Sequence, residues 1–354
     1  MKYGIYFAYW TKEWSADYRY YIDKAAALGF DILEISCAAL QSTYTDDAQL
    51  IALRDYAKAK GVTLTAGYGP TKRQDLSSGD PETYRNATAF FRETLRKLQL
   101  MDIHLLGGSL YSYWPVDFSR PVDKPGAWKR SVRGMKEIAK IAEDRGVVLG
   151  MEVLNRYEGY LLNTCEEALE YVDAVDSPNV KIMLDTFHMN IEEDNIGAAI
   201  RRAGPQLCHL HLGEQNRRVP GKGSLPWAEI GRALRDIDYR GAAVMEHERG
   251  DDRVADQGLA RFGPRVFRSG SRPRRAGSAR IRKACFRHLI LAAAGGFLKY
   301  GAGGGALFPE VAAARRLLSA APFRGLRFYF AGSFFRLSSG AGGPFQEGFR
   351  RGRP

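Results

Sequence analysis

Along the first 246 residues, short apolar or β-branched runs alternate with longer stretches in which apolar positions recur every three or four residues. The short runs have the length and composition of buried strands, and the longer stretches are amphipathic helices. The predicted strands are Tyr3–Phe7, Ile32–Ser36, Thr63–Ala66, Ile103–Leu106, Val147–Leu154, Val180–Leu184, Leu207–Leu212 and Ala242–Glu246. Between them lie helical segments such as ADYRYYIDKAAALG, DDAQLIALRDYAKAKG, RNATAFFRETLRKLQLM and SVRGMKEIAKIAEDRG. Gly29, Gly61 and Gly146 fall where helix ends favour a residue tolerant of positive φ. Eight strand–helix units in about 250 residues match the size and rhythm of an α/β TIM (β/α)8 barrel. A doubly wound sheet is the competing architecture, but no GxGxxG follows the first strand. The Gly107-Gly108 pair after strand four is read as a tight exit from strand to loop, not as a phosphate cradle.

Composition changes this picture only toward the C-terminus. The chain has 354 residues, 45% of them apolar, which is enough for a large core. No apolar run approaches the ~20 residues of a membrane span. The start, MKYGIYFAYW, lacks the apolar core and cleavage site of a secretory signal, so a cytoplasmic location is expected. Cys37, Cys165, Cys208 and Cys285 are widely separated, without metal-binding spacing, and are expected to be reduced. Residues 1–250 carry 32 Lys+Arg against 35 Asp+Glu, a net charge of −3, whereas residues 251–354 carry 20 against 5, a net charge of +15. The overall charge of +12, which would otherwise suggest a nucleic acid or membrane partner, therefore belongs to the tail. Of the 20 tail cations 18 are Arg, against 19 of 32 in the body. The expected organisation is a barrel domain over 1–249 and an Arg/Gly/Ala-rich tail over 250–354 with little ordered structure. That tail has aromatics among its arginines but neither repeated RGG units nor a recognisable module, so no nucleic acid or membrane partner is expected.

In a barrel of this kind the chemistry sits at the C-terminal ends of the strands. Glu152 lies in strand five, Asp185 ends strand six, His211 ends strand seven and Glu246 ends strand eight, at spacings of 33, 26 and 35 residues. Each spacing is about one strand–helix unit, so all four side chains are predicted to face one mouth. Three carboxylates and one imidazole suit a hard-to-borderline divalent ion such as Mn²⁺, Co²⁺ or Mg²⁺, whereas zinc more usually recruits additional His or Cys. His209, two residues before His211, is expected to point to the other side of its strand as a packed, hydrogen-bonded neighbour. His104 is read as structural.

The motifs MEVLNRYE, MLDTFHMNIEE, HLHLGEQNRRVPGKG, GSLYSYWPVD and YFAYWTKEW strongly resemble the D-tagatose 3-epimerase and D-psicose (D-allulose) 3-epimerase family. The resemblance runs nearly continuously from residue 1 to Glu246. It implies that Glu152, Asp185, His211 and Glu246 are metal ligands, for Mn²⁺ or Co²⁺ foremost, and that Glu152 and Glu246 are also the catalytic acid/base pair. It further implies that Glu158, His188 and Arg217 hold the O1–O3 end of a ketose. Tyr6, Trp14 and Trp114 are implied to line the pocket for the rest of the sugar. The implied activity is epimerisation of ketohexoses at C3, interconverting D-fructose with D-allulose or D-tagatose with D-sorbose, in a homo-dimer or homo-tetramer. Another sugar isomerase of the same barrel type is the nearest alternative, and an inactive product with an altered C-terminus is a second.

The resemblance stops just after Glu246. The family continues with a Gly-Gly-Thr-Ile-Gly-like segment and a Lys-Val-Trp-Arg-Asp-like stretch, where this chain reads RGDDRVADQGLARF. Permitted codons for that string, read one base later, give Gly-Gly-Thr-Ile-Gly-Ser-Arg-Ile-Lys-Val-Trp-Arg-Asp. The chain is therefore expected to leave its ancestral reading frame after Glu246, losing the eighth barrel helix and placing Glu248 where the family has an aromatic residue. The gene's nucleotides around codon 246 check this directly: codons that do not yield the alternative frame overturn it.

Overall fold

The computed structural model describes residues 1–246 apart from 12, 14, 15 and 120, together with 326–331 and 334–339. In chain order the elements are β1 (Lys2–Tyr6), α1 (Tyr18–Leu28), β2 (Ile32–Ser36), α2 (Ala39–Ser42), α3 (Asp47–Ala59), β3 (Thr63–Gly67), α4 (Pro81–Leu100), β4 (Leu105–Gly108), α5 (Lys124–Asp144) and β5 (Val148–Glu152). There follow α6 (Cys165–Val175), β6 (Val180–Asp185), α7 (Thr186–Glu192), α8 (Ile196–Ala203), β7 (Leu207–Leu212), α9 (Trp227–Asp236) and β8 (Ala242–Met245). The eight strands form a closed parallel barrel in sequence order. Closure is made by β1 against β8, from Lys2↔Ala242 to Ile5↔Met245, so the ring is complete at Met245.

Parallel strands covered on both faces read as nearly continuous apolar runs, and ILEIS in β2 and AAVM in β8 are buried throughout. The predicted helix ends hold. Gly29 caps α1 with φ 82°, and Gly61 and Gly146, at φ 68° and 65°, lie one residue beyond the caps of α3 and α5. Helix starts were less visible from the apolar pattern. α4 begins at Pro81 because Asp80 accepts a hydrogen bond from the Thr83 amide at 2.8 Å, and Asp123 caps α5 through the Gly126 amide at 2.9 Å. Gly108 has φ 124°, and a Cβ there would collide with the Tyr68 carbonyl, which accounts for the glycine as a tight strand exit.

The chain divides into two units, Met1–Leu298 and Lys299–Pro354. In the second, β9 (Leu326–Ala331) and β10 (Phe334–Ser339) pair antiparallel, with Phe330 opposite Phe335. The expectations about a final barrel helix and an unstructured tail fall largely on 247–325, outside the described residues. Cys37, Cys165 and Cys208 are free thiols, and Cys285 also lies outside the described residues. Among the described residues no helix is long and apolar enough to cross a membrane.

Candidate metal centre

The four predicted ligands converge. One donor atom from each of Glu152, Asp185, His211 and Glu246 lies within 4.8 Å of the others. Glu152 and Asp185 are the last residues of β5 and β6, His211 is the penultimate residue of β7, and Glu246 follows β8 directly. Glu246 is held by its backbone as well as its side chain. Its amide donates to the Leu212 carbonyl at 3.3 Å, and its Oε2 is 3.0 Å from His211 Nδ1. The carboxylate of Asp185 is divided between two tasks. Oδ1 accepts from the Phe187 amide at 2.7 Å and so caps α7, while Oδ2 is buried and meets no N–H or hydroxyl donor among the described residues.

A buried oxygen left without a donor costs free energy unless a cation or proton meets it. His188 Nε2 and Arg217 Nη1 stand 3.9 and 4.0 Å away, too far to satisfy it. The crowding also separates the carboxyl groups electrostatically. Burial raises Glu152 well above the usual carboxylate range, with Glu246 adding repulsion. Burial likewise raises Asp185, with Glu246 adding to it and His188 and Arg217 opposing. Glu246 is also pushed up by burial, but His211 and Arg217 outweigh that and bring it down to about 2. An open oxygen and three converging carboxyls with one imidazole fit a divalent cation bound by O and N donors.

The three predicted sugar contacts form one chain beside this centre. Glu158 Oε1 is 3.3 Å from Arg217 Nη2 and 4.0 Å from His188 Nδ1. Arg217 packs its guanidinium 3.6 Å from the Phe187 ring centroid and reaches Glu246 Oε2 at 3.8 Å. Tyr6 is buried and stacks on His211 with ring centroids 6.3 Å apart. Trp114 packs against Gly69, and its amide donates to the Pro70 carbonyl at 2.7 Å. That places it in the loop after β4, beside the β3 loop. Trp14 lies outside the described residues. His104 is exposed and bonded to the Gly146 carbonyl and to Asp102, in line with a structural role.

One expectation is corrected. His209 and His211 face the same side of β7, as the two-residue period of a strand requires. Both imidazoles approach Glu34: His211 Nε2 is 2.6 Å from Oε1 and His209 Nε2 is 2.7 Å from Oε2. Glu34 itself escaped the sequence reading, although a lone carboxylate inside the apolar run ILEIS was a visible signal. Asn155 was also missed. Its amide nitrogen lies 2.7 Å from His188 Nδ1 and donates to Glu158 at 3.0 Å, holding both in place. Glu214, fully buried, accepts from the Trp227 indole at 2.5 Å and the Gly221 amide at 2.6 Å, which orders the loop that carries Arg217.

The chain matches the model of the xylose isomerase-like TIM barrel family over residues 22–269. It is 70% identical over 246 residues to a D-psicose 3-epimerase of Enterocloster bolteae, a match covering 70% of this chain and 82% of that protein. Identity to the D-psicose 3-epimerase of Agrobacterium fabrum is 54% over 246 residues, covering 70% of this chain and 84% of that one. Among solved structures, D-psicose 3-epimerase from Clostridium cellulolyticum with D-tagatose superposes with a TM-score of 0.70 at 48% identity, covering 85% of this chain and all of that one.

Proposed function

The chain belongs to the D-psicose 3-epimerase family of xylose isomerase-like TIM barrels, and from that premise we propose that it inverts C3 of ketohexoses by a two-glutamate proton transfer. As a member it is a carbohydrate epimerase of the isomerase class. The observation that carries the mechanism is the convergence of Glu152, Asp185, His211 and Glu246 at the mouth, with one Asp185 oxygen left open.

The hydrogen on C3 of a ketose is acidified by the C2 carbonyl. One carboxylate removes it, and a carboxylic acid on the other face returns a proton to the resulting enediolate. Glu152 and Glu246 come from non-adjacent strand ends, and their environments drive their proton affinities apart, the pattern expected of an acid/base pair. The four ligands would hold a divalent cation, Mn²⁺ or Co²⁺ foremost, which supplies Lewis-acid polarisation of the carbonyl and charge compensation. His188, Arg217 and Glu158 offer hydrogen bonds to the O1–O3 end of the sugar and fix which carbon faces the glutamates.

Incubating the full-length chain with D-fructose, D-allulose, D-tagatose or D-sorbose and Mn²⁺ or Co²⁺ is expected to give the C3 epimer. An aldose product would assign carbonyl migration instead, and no metal-dependent turnover would favour an inactive product. A narrower prediction concerns Arg217. Lysine keeps the charge but loses the planar fork that stacks on Phe187 and pairs with Glu158. Arg217→Lys is expected to raise KM about 10-fold with a smaller change in kcat, the signature of lost sugar binding. Steady-state kinetics with an unchanged KM would remove Arg217 from the sugar site.

A further inference from the structure

Glu34 is buried, 1% exposed, on the Nε2 edge of His211, whose Nδ1 edge faces Glu246 and Glu152. Its Oε1 is 2.6 Å from His211 Nε2, and its Oε2 accepts from the Thr65 hydroxyl at 2.9 Å. His209 Nε2 stands 2.7 Å from Oε2, and neither of its nitrogens has a well-formed hydrogen bond among the described residues. The other nitrogen of His211, Nδ1, faces Glu246 at 3.0 Å and Glu152 at 3.7 Å. The two edges of one imidazole are thus assigned to two carboxylate environments.

We propose that Glu34 is a positioning residue that holds the Nε2–H form of His211 and so presents Nδ1 as the free nitrogen donor to a divalent cation. A buried carboxylate needs donors to compensate its desolvation. With Thr65 turned toward Oε2, the donor at Oε1 is His211 Nε2–H. When a cation displaces the proton that Nδ1 shares with Glu246, the imidazole left with its proton on Nε2 has its lone pair on Nδ1, directed at Glu152 and Glu246. The same contact fixes the ring's rotation, and an anionic acceptor behind a ligating histidine strengthens its donor nitrogen. Glu34, His209 and His211 also present donor atoms within 4.8 Å of one another. A second ion there would need the His211 Nε2 lone pair, which is incompatible with the hydrogen bond to Glu34, so one cation per barrel follows.

The assignment rests on the four-ligand reading above, and its test separates the two. Full-length wild type, Glu34→Gln, Glu34→Ala and the milder Thr65→Val are titrated with Mn²⁺ alone, without sugar, by calorimetry, and metal-free thermal melts check folding. Histidine-labelled protein loaded with diamagnetic Mg²⁺ gives ¹⁵N spectra that report the His211 tautomer. Wild type is expected to bind one Mn²⁺ and to show His211 protonated at Nε2. Glu34→Ala is expected to lose on the order of 10–100-fold in Mn²⁺ affinity and the fixed tautomer, with smaller losses for Gln and Val at these sites. Folded variants with wild-type affinity and tautomer would reduce Glu34 to core packing. Two Mn²⁺ per chain in wild type would make Glu34 a ligand and overturn the positioning role. A wild type that binds no Mn²⁺ overturns the four-ligand site itself, and the Glu34 assignment with it.

Discussion

Replacing either Glu152 or Glu246 by Gln is expected to lower epimerisation by at least ~10³-fold even at saturating Mn²⁺, because general acid–base catalysis is worth on the order of 10²–10⁴ and neither partner can replace the other. Gln preserves the shape and one oxygen of each side chain but can neither take the C3 proton nor return one. The two sites are not equivalent. Glu246 is ionised by its contact with His211 and the nearby Arg217, whereas burial and the charge of Glu246 favour the protonated form of Glu152. One glutamate therefore remains competent on one face in each variant. In deuterated water, any residual exchange at C3 is expected from only one of the two epimers, and from the opposite one in the other variant. Measuring Mn²⁺ affinity in parallel separates lost chemistry from lost metal. A variant that still epimerises at a tenth of the wild-type rate with metal bound would show that this glutamate is not one of the two bases.

The four candidate ligands were legible because their information is one-dimensional. A polar residue closing each of four successive strands at a spacing of one strand–helix unit needs no knowledge of how the strands pack. The strands themselves were displaced by only a few residues, and the shifts have local causes. β4 begins at Leu105 and not Ile103 because the Ile103 amide is still occupied by the Leu98 carbonyl at the end of α4. β5 stops at Glu152 because Leu154 turns away to pair with Leu162. What was not legible depends on contacts across the barrel. Glu34 and His211 are 177 residues apart, and their meeting is set by strand tilt and register, which no single segment encodes. The side assigned to His209 is a different matter, since strand alternation alone places it with His211. Of the residues expected to line the sugar pocket, Tyr6 stacks on His211, whereas the position of Trp114 depends on how two loops meet.

Asp185→Asn is expected to abolish the stabilisation that Mn²⁺ gives the protein while leaving the metal-free protein as stable as wild type or more so. The two carboxylate oxygens of Asp185 have opposite relations to the fold. Oδ1 caps α7 through the Phe187 amide, and Asn caps helices about as well as Asp, so that contribution survives the change. Oδ2 is buried without an N–H or hydroxyl donor among the described residues, the carboxyl is repelled by Glu246, and burying an unsatisfied ionised oxygen is destabilising until a cation arrives. Replacing it by a neutral amide removes that penalty together with the ligand. In wild type, Mn²⁺ at 100 times its dissociation constant should add about 2.7 kcal/mol, a rise in Tm of roughly 5–10 °C for a domain of this size. EDTA should reverse it and stop turnover. In the variant the same titration should move Tm by less than about 1 °C, since a loss of affinity beyond ~100-fold leaves little bound at that concentration. A generic core residue would behave otherwise, with the metal-free Tm falling and the metal response intact. That outcome in thermal melts with and without Mn²⁺ would remove Asp185 from the centre, and with it the open oxygen on which the cation fit depends.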